Sequence, residues 1–100
     1  MPPKPAKLVT IIAPHHARER ILDALHALGA RGFSLSHVEG FGAHGHRDSG
    51  VADAKNLAVM VVAGDALARK ILTWVEEELI PIHAAIAYSA DVIAVPGGYF

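Results

Sequence analysis

The sequence predicts an α+β domain of order β-α-β-loop-β-α-β, an antiparallel sheet carrying both helices on one face. Two stretches with apolar residues at three- and four-residue intervals are flanked by short β-branched or alternating runs. Glycine or proline stands where each helix should stop, at Gly29 and Pro81. Of the 100 residues, 52% are apolar, more than one small core needs, so part of that surface should meet another copy of the chain.

The elements follow in order. "MPPKPA" (1–6) is proline-rich with little to bury and reads as a flexible leader, leaving 7–100 as a single domain. "KLVTIIA" (7–13) is short and β-branched, a strand. Pro14 suits the first turn of a helix in which Ala17, Ile21, Leu25 and Leu28 form the apolar stripe, broadened by Leu22. Arg18, Glu19 and Asp23 lie off that stripe. "FSLSHVEG" (33–40) alternates with period two. The segment from Gly42 to Lys55 reads as a loop, and "NLAVMVVAG" (56–64) as a strand in the sheet centre.

Asp65 can cap the second helix, whose stripe is Leu67, Ala68, Ile71, Leu72, Val75 and Leu79. Glu76, Glu77 and Glu78 sit at the end the macrodipole disfavours and read as a solvated face. "IHAAIAYS" (82–89) is the fourth strand, and "DVIAVPGGYF" a short extended tail. Two right-handed βαβ crossovers in this order make the ferredoxin-like βαββαβ arrangement. Its second sheet face would be bare in a monomer. The apolar surplus and that bare face explain each other, and oligomerisation through the sheet follows.

Composition excludes several function classes. Nine basic against ten acidic residues, with seven histidines, leave neither a nucleic-acid footprint nor a polybasic membrane patch. No cysteine is present, which removes disulfides, thiolate zinc sites and cysteine nucleophiles. "MPPKPAK" lacks the apolar core of a signal peptide, and no apolar run approaches the ~18 residues of a membrane span. A cytoplasmic protein is the expectation. Ser34, Ser36, Ser49 and Ser89 follow no nucleophile elbow, and Asp48 and Asp53 form no acid–base pair, so no catalytic residue and no enzyme activity is assigned.

The chemistry concentrates in "VEGFGAHGHRDSG" (38–50). His44 and His46 point to one side if the segment is extended, which two metal ligands would require. Zinc and copper sites want three or four ligands, and His15, His16, His26, His37 and His83 are too scattered to supply them from sequence. Solvated loop histidines are the simpler reading, with a metal-responsive protein using His44 and His46 as the alternative. An anion reading uses more of the stretch. Gly40, Phe41 and Gly42 directly after a strand allow backbone N–H groups to form a nest for phosphate oxygens, and Arg47 adds a planar fork. A glycine-rich hairpin loop without a ligand stands beside it.

"VTIIAPHHARERILDALHALGARGFSLSHVEGFG" resembles the first half of the PII signal-protein family. The likeness lies in the strand-Pro-helix opening, Gly29 and Gly32 before the second strand, and Val-Xaa-Gly-Phe-Gly at 38–42. "NLAVMVVAGD" resembles the family's third strand and the start of its second helix. The resemblance implies a homotrimer with a nucleotide pocket between neighbouring subunits. The chain departs from the standard members in three places. Its 42–55 loop is short and lacks a modifiable tyrosine, so uridylylation is not expected. "ELIPIHAA" has Pro81 and His83 in place of a basic glycine-rich turn, and "ADVIAVPGGYF" lacks the family's late arginines, which weakens a role in tight ATP binding or 2-oxoglutarate sensing.

What remains is similar to the short-T-loop PII-like branch, the bicarbonate-transporter-associated and carboxysome-associated regulators. That resemblance implies AMP or ADP ahead of ATP, with bicarbonate as a candidate second ligand and no metal. It implies Gly40, Phe41, Gly42 and Arg47 on the phosphate side, and Gly32, Phe33 and Ser34 across the cleft from the adjacent subunit. Val59, Met60 and Val61 would supply apolar surface and backbone polar groups for the base, or else be plain core strand. His44 stands at the loop's first basic position. The implied partner is a bicarbonate transporter or a carboxysome-linked protein, met from the cytoplasm at a membrane or carboxysome.

Overall fold

A computed structural model describes residues 2–39 and 55–97, with the backbone of 41–42 and 45–46. Six strands and two helices are described: β1 (Lys4–Pro14), α1 (Arg18–Leu28), β2 (Ser34–Val38), β3 (Phe41–Gly42), β4 (Gly45–His46), β5 (Asn56–Ala63), α2 (Asp65–Trp74) and β6 (Ile86–Ala94). The main sheet has the order β2-β5-β1-β6, with every neighbouring pair antiparallel. This is the ferredoxin-like α+β arrangement that the element order requires. β3 and β4 form a separate two-residue ladder, Phe41 opposite His46 and Gly42 opposite Gly45.

The core lies between the sheet and the helices. Alternation puts Val9, Ile11 and Ala13 of β1 and Leu57, Val59, Val61 and Ala63 of β5 against Ile21 and Leu25 of α1 and Ala68 and Ile71 of α2. The other sheet face carries rows fixed by the registers. Ser34, Met60, Thr10 and Tyr88 form one row; Ser36, Ala58, Ile12 and Ile86 the next; Val62, Leu8 and Ala90 a third. Ile86 is 56% exposed and Tyr88 49%, so this face presents apolar side chains on which no described element packs in a single chain.

β1 begins at Lys4, so the expected leader is shorter than residues 1–6. Lys4, Pro5 and Ala6 pair with Ala94, Ile93 and Val92. There β1 has a partner on one side only, since its register with β5 starts at Lys7, and the N–H that Pro5 lacks can fall on the unpaired side. β6 likewise runs through Ala94 and absorbs the start of the expected tail, Asp91 to Ala94. It also starts later than expected, because the N–H groups of Ile82 and His83 bond back to the Leu79 carbonyl at 3.0 and 2.9 Å.

Pro14 ends β1 and opens a single 3-10 turn, His15–Ala17, and α1 proper starts at Arg18. Gly29 closes α1 at φ +101°, its N–H reaching the His26 carbonyl while the Ala30 N–H reaches Leu25, the paired bonds of a Schellman motif. At α2 the residue before the helix is Gly64, and Asp65 makes no cap bond; its carboxylate instead meets Arg69 at 2.8 Å one turn on. After Trp74 the helix widens into a π turn, Val75–Leu79, with the Ile80 N–H bonded five residues back to Val75. Val75 and Leu79 stay buried while Glu76, Glu77 and Glu78 face solvent.

Candidate functional site

β2 is the axis of the expected site. Gly32 and Phe33 lead into it, Phe33 at 46% exposure, and Ser34 begins it directly opposite Met60 on the open sheet face. Ser34, Met60 and Thr10 are therefore brought together, a hydroxyl pair around a half-buried thioether. Val59 and Val61 are 0% and 1% exposed, and their side chains belong to the core. The apolar side-chain surface expected of all three residues is present at Met60 alone. The apolar run of "NLAVMVV" hides this split, because both faces of the central strand carry apolar residues.

Beyond the Ser34–Met60 pair the β2–β5 ladder ends, and Val61 to Ala63 are laddered to β1 alone. Phe33 stands beside that opening in the ladder. At the far end of β2, past Val38, the chain enters the β3–β4 ladder that holds the backbone of Phe41 and Gly42. Gly40, Arg47 and His44 lie outside the described residues, as do most positions of the 42–55 loop. The Gly32–Ser34 group thus stands at one end of β2 and the chain leaves for Phe41–Gly42 at the other, four strand steps or about 13 Å away. One ligand touched by both must span that length or lie between two copies of the chain.

Histidines that look scattered in sequence converge elsewhere. The rings of His16 and His83 are 5.1 Å apart between centroids, tilted by 60°, and His15 stands edge-on to His16 at 6.2 Å. Burial first, then His16 and Arg20, push the His83 imidazole below its ordinary value. The signal was available in the topology. α2 runs parallel to β1, so the turn after α2 and the turn after β1 must share one end of the sheet. His26 and His37 are exposed. Among the described residues no group of three or more His, Cys, Asp or Glu is placed to hold a metal.

A shallow cavity of about 440 Å³ flanks the outer end of the β1–β6 pair, lined by Lys7, Asp65, Asp91 and Ile93 among others. Lys7 is ion-paired with Asp91, and the hydrogen bond and charge of that carboxylate raise the lysine's pKa. None of the expected ligand residues lines this cavity.

The nitrogen regulatory protein P-II family matches residues 6–98, nearly the whole chain. The chain belongs to that family. No curated protein matches it in sequence. Among solved structures, a PII-like signaling protein from Thermus thermophilus is 32% identical at a TM-score of 0.83, with 97% of this chain and 96% of that one covered. CPII from Thiomonas intermedia, a nitrogen regulatory PII-like protein solved with ADP, AMP and bicarbonate, superposes at a TM-score of 0.80 with 19% identity. That match covers 95% of this chain and all of CPII. The apo form of CPII superposes at 0.76 with 17% identity. As a P-II family member the chain is a regulatory protein of PII type, and no helix among the described residues is long and apolar enough to cross a membrane.

Proposed function

We propose that this PII-like protein is a non-enzymatic regulator that assembles as a homotrimer and binds an adenine nucleotide in each cleft between subunits. AMP and ADP are the preferred ligands, with bicarbonate beside them. The reading is carried by the family match over residues 6–98 together with CPII, a protein of the same fold and length solved with ADP, AMP and bicarbonate. The separation of the two halves of the site along β2 supports a cleft completed by a second copy, and the unpacked apolar sheet face supplies a surface for assembly.

In this cleft Gly40, Phe41, Gly42 and Arg47 hold the phosphates, while Gly32, Phe33 and Ser34 of the neighbour close it. Met60 gives the base apolar contact, and Val59 and Val61 contribute through their backbone groups. Ligand binding orders the 42–55 loop by pinning Arg47 on phosphate oxygens, and the ordered loop docks on a bicarbonate transporter or a carboxysome-linked partner in the cytoplasm.

Titration calorimetry with AMP, ADP, ATP and cyclic AMP, with and without bicarbonate, tests the reading. Wild type should bind AMP or ADP most tightly. Arg47→Ala should lose about tenfold to a hundredfold in affinity, the worth of one charge-assisted hydrogen bond. Absence of heat with every nucleotide would overturn it.

A further inference from the structure

The turn after β1 and the turn after α2 meet at one end of the sheet, and the junction is built from basic side chains. His16 comes from the 3-10 turn and His83 from the segment between the π turn and β6, their rings in contact at 5.1 Å. Arg20, one helical turn beyond His16, reaches the same place. Its Nη2 donates to the Glu78 carbonyl at 3.1 Å and lies 3.8 Å from the Glu78 carboxylate. Among the described residues, the groups acting on His83 are therefore His16 and Arg20, with His15 behind His16 and the Glu78 carboxylate engaged by Arg20.

A neutral His83 gains ring contact with His16 and leaves little charge in a half-buried place. A protonated His83 sets a positive charge against Arg20 and an imidazole partner while losing part of its hydration. The same 3-10 turn is tied to the entry of β5, because the His15 N–H donates to the Lys55 carbonyl at 2.9 Å. A metal is a poorer occupant of the junction. The pair has no third ligand among the described residues, and the Arg20 guanidinium repels a cation.

We propose that the His16–His83 contact is a proton-operated latch, holding the β1–α1 turn to the α2–β6 turn while His83 is neutral and releasing it when His83 takes up a proton. Release frees the 3-10 turn, and with it the His15–Lys55 bond at the start of β5. The latch operates in the ligand-free protein and does not rest on nucleotide binding, so either idea can fail without the other.

NMR titration of the ligand-free chain from about pH 8 to about pH 5 reads both ends of the latch. The His83 ring should titrate below the ordinary 6.5, and the His15 amide should shift with the same midpoint. Arg20→Gln should raise that midpoint, and His83→Asn should flatten the His15 response. A His15 amide that ignores the His83 midpoint would overturn the latch, as would one that moves equally in His83→Asn. Should His83→Asn fail to fold, the coincidence of midpoints in wild type decides the matter alone.

Discussion

Ile86→Asp separates the fold of the single chain from its assembly. Ile86 lies on the edge strand β6, in the row Ser36–Ala58–Ile12–Ile86, and is 56% exposed. With so much of the side chain already in water, the isolated domain should lose no more than about 1 kcal/mol, the span of strand propensity. The assembled protein is different. Full burial of an isoleucine is worth ~1.5–3 kcal/mol, so covering the exposed half contributes about 1 kcal/mol per subunit. Aspartate forfeits that and adds the cost of taking a carboxylate out of water, several kcal/mol per ion. Each of the three contacts thus loses several kcal/mol, a large share of the ~8 kcal/mol that holds one micromolar contact. Light scattering behind a sizing column should show wild type at three times the 10.6 kDa chain mass and Ile86→Asp at one, with unchanged far-UV circular dichroism. A variant that still runs as a trimer would refute the assignment of the open sheet face to assembly, and so would a monomeric wild type.

Other perturbations probe the single chain. Gly29→Ala should cost about 1–2 kcal/mol in urea unfolding, since φ is +101° there and a Cβ would meet nothing within 4 Å, leaving backbone strain as the whole effect. Ile71→Ala, at a fully buried site between α2 and the sheet, should cost about 2–5 kcal/mol in the same assay. Stability should also depend on His83. Its folded pKa lies below the ordinary 6.5, so the unfolded chain takes the proton first. The contribution is therefore complete above about pH 6.5 and is lost as pH falls towards the folded value. Urea midpoints measured on both sides of that window should fall with acid in wild type and fall less in His83→Asn.

Much of the fold was legible because its elements are separated by their periods. Ile21, Leu25 and Ile71 repeat at helical intervals, and β-branched runs bracket them. Boundaries failed where hydrogen bonding overrides composition. Ile82 and His83 read as strand, yet their N–H groups serve the end of a helix, and Asp65 reads as a cap although Arg69 takes its carboxylate. For the candidate site, sequence offers only a set of residues. Ser34 facing Met60 follows from register, which a single sequence does not carry, and the burial of Val59 and Val61 is masked by a strand apolar on both faces. The His16–His83 contact needed the topology applied to two turns, and composition alone gives no hint of it.

The π turn at Val75–Leu79 bears on how this chain can vary in length. Such a turn is an α-helix holding one surplus residue. Removing one of Glu76, Glu77 or Glu78 would convert the five-residue bond from Ile80 to Val75 into an ordinary four-residue one. Val75 and Leu79 would then stand three apart, still on one helix face and still able to reach the core. The segment is thus a place where descendants of this sequence could gain or lose a codon without rebuilding the domain.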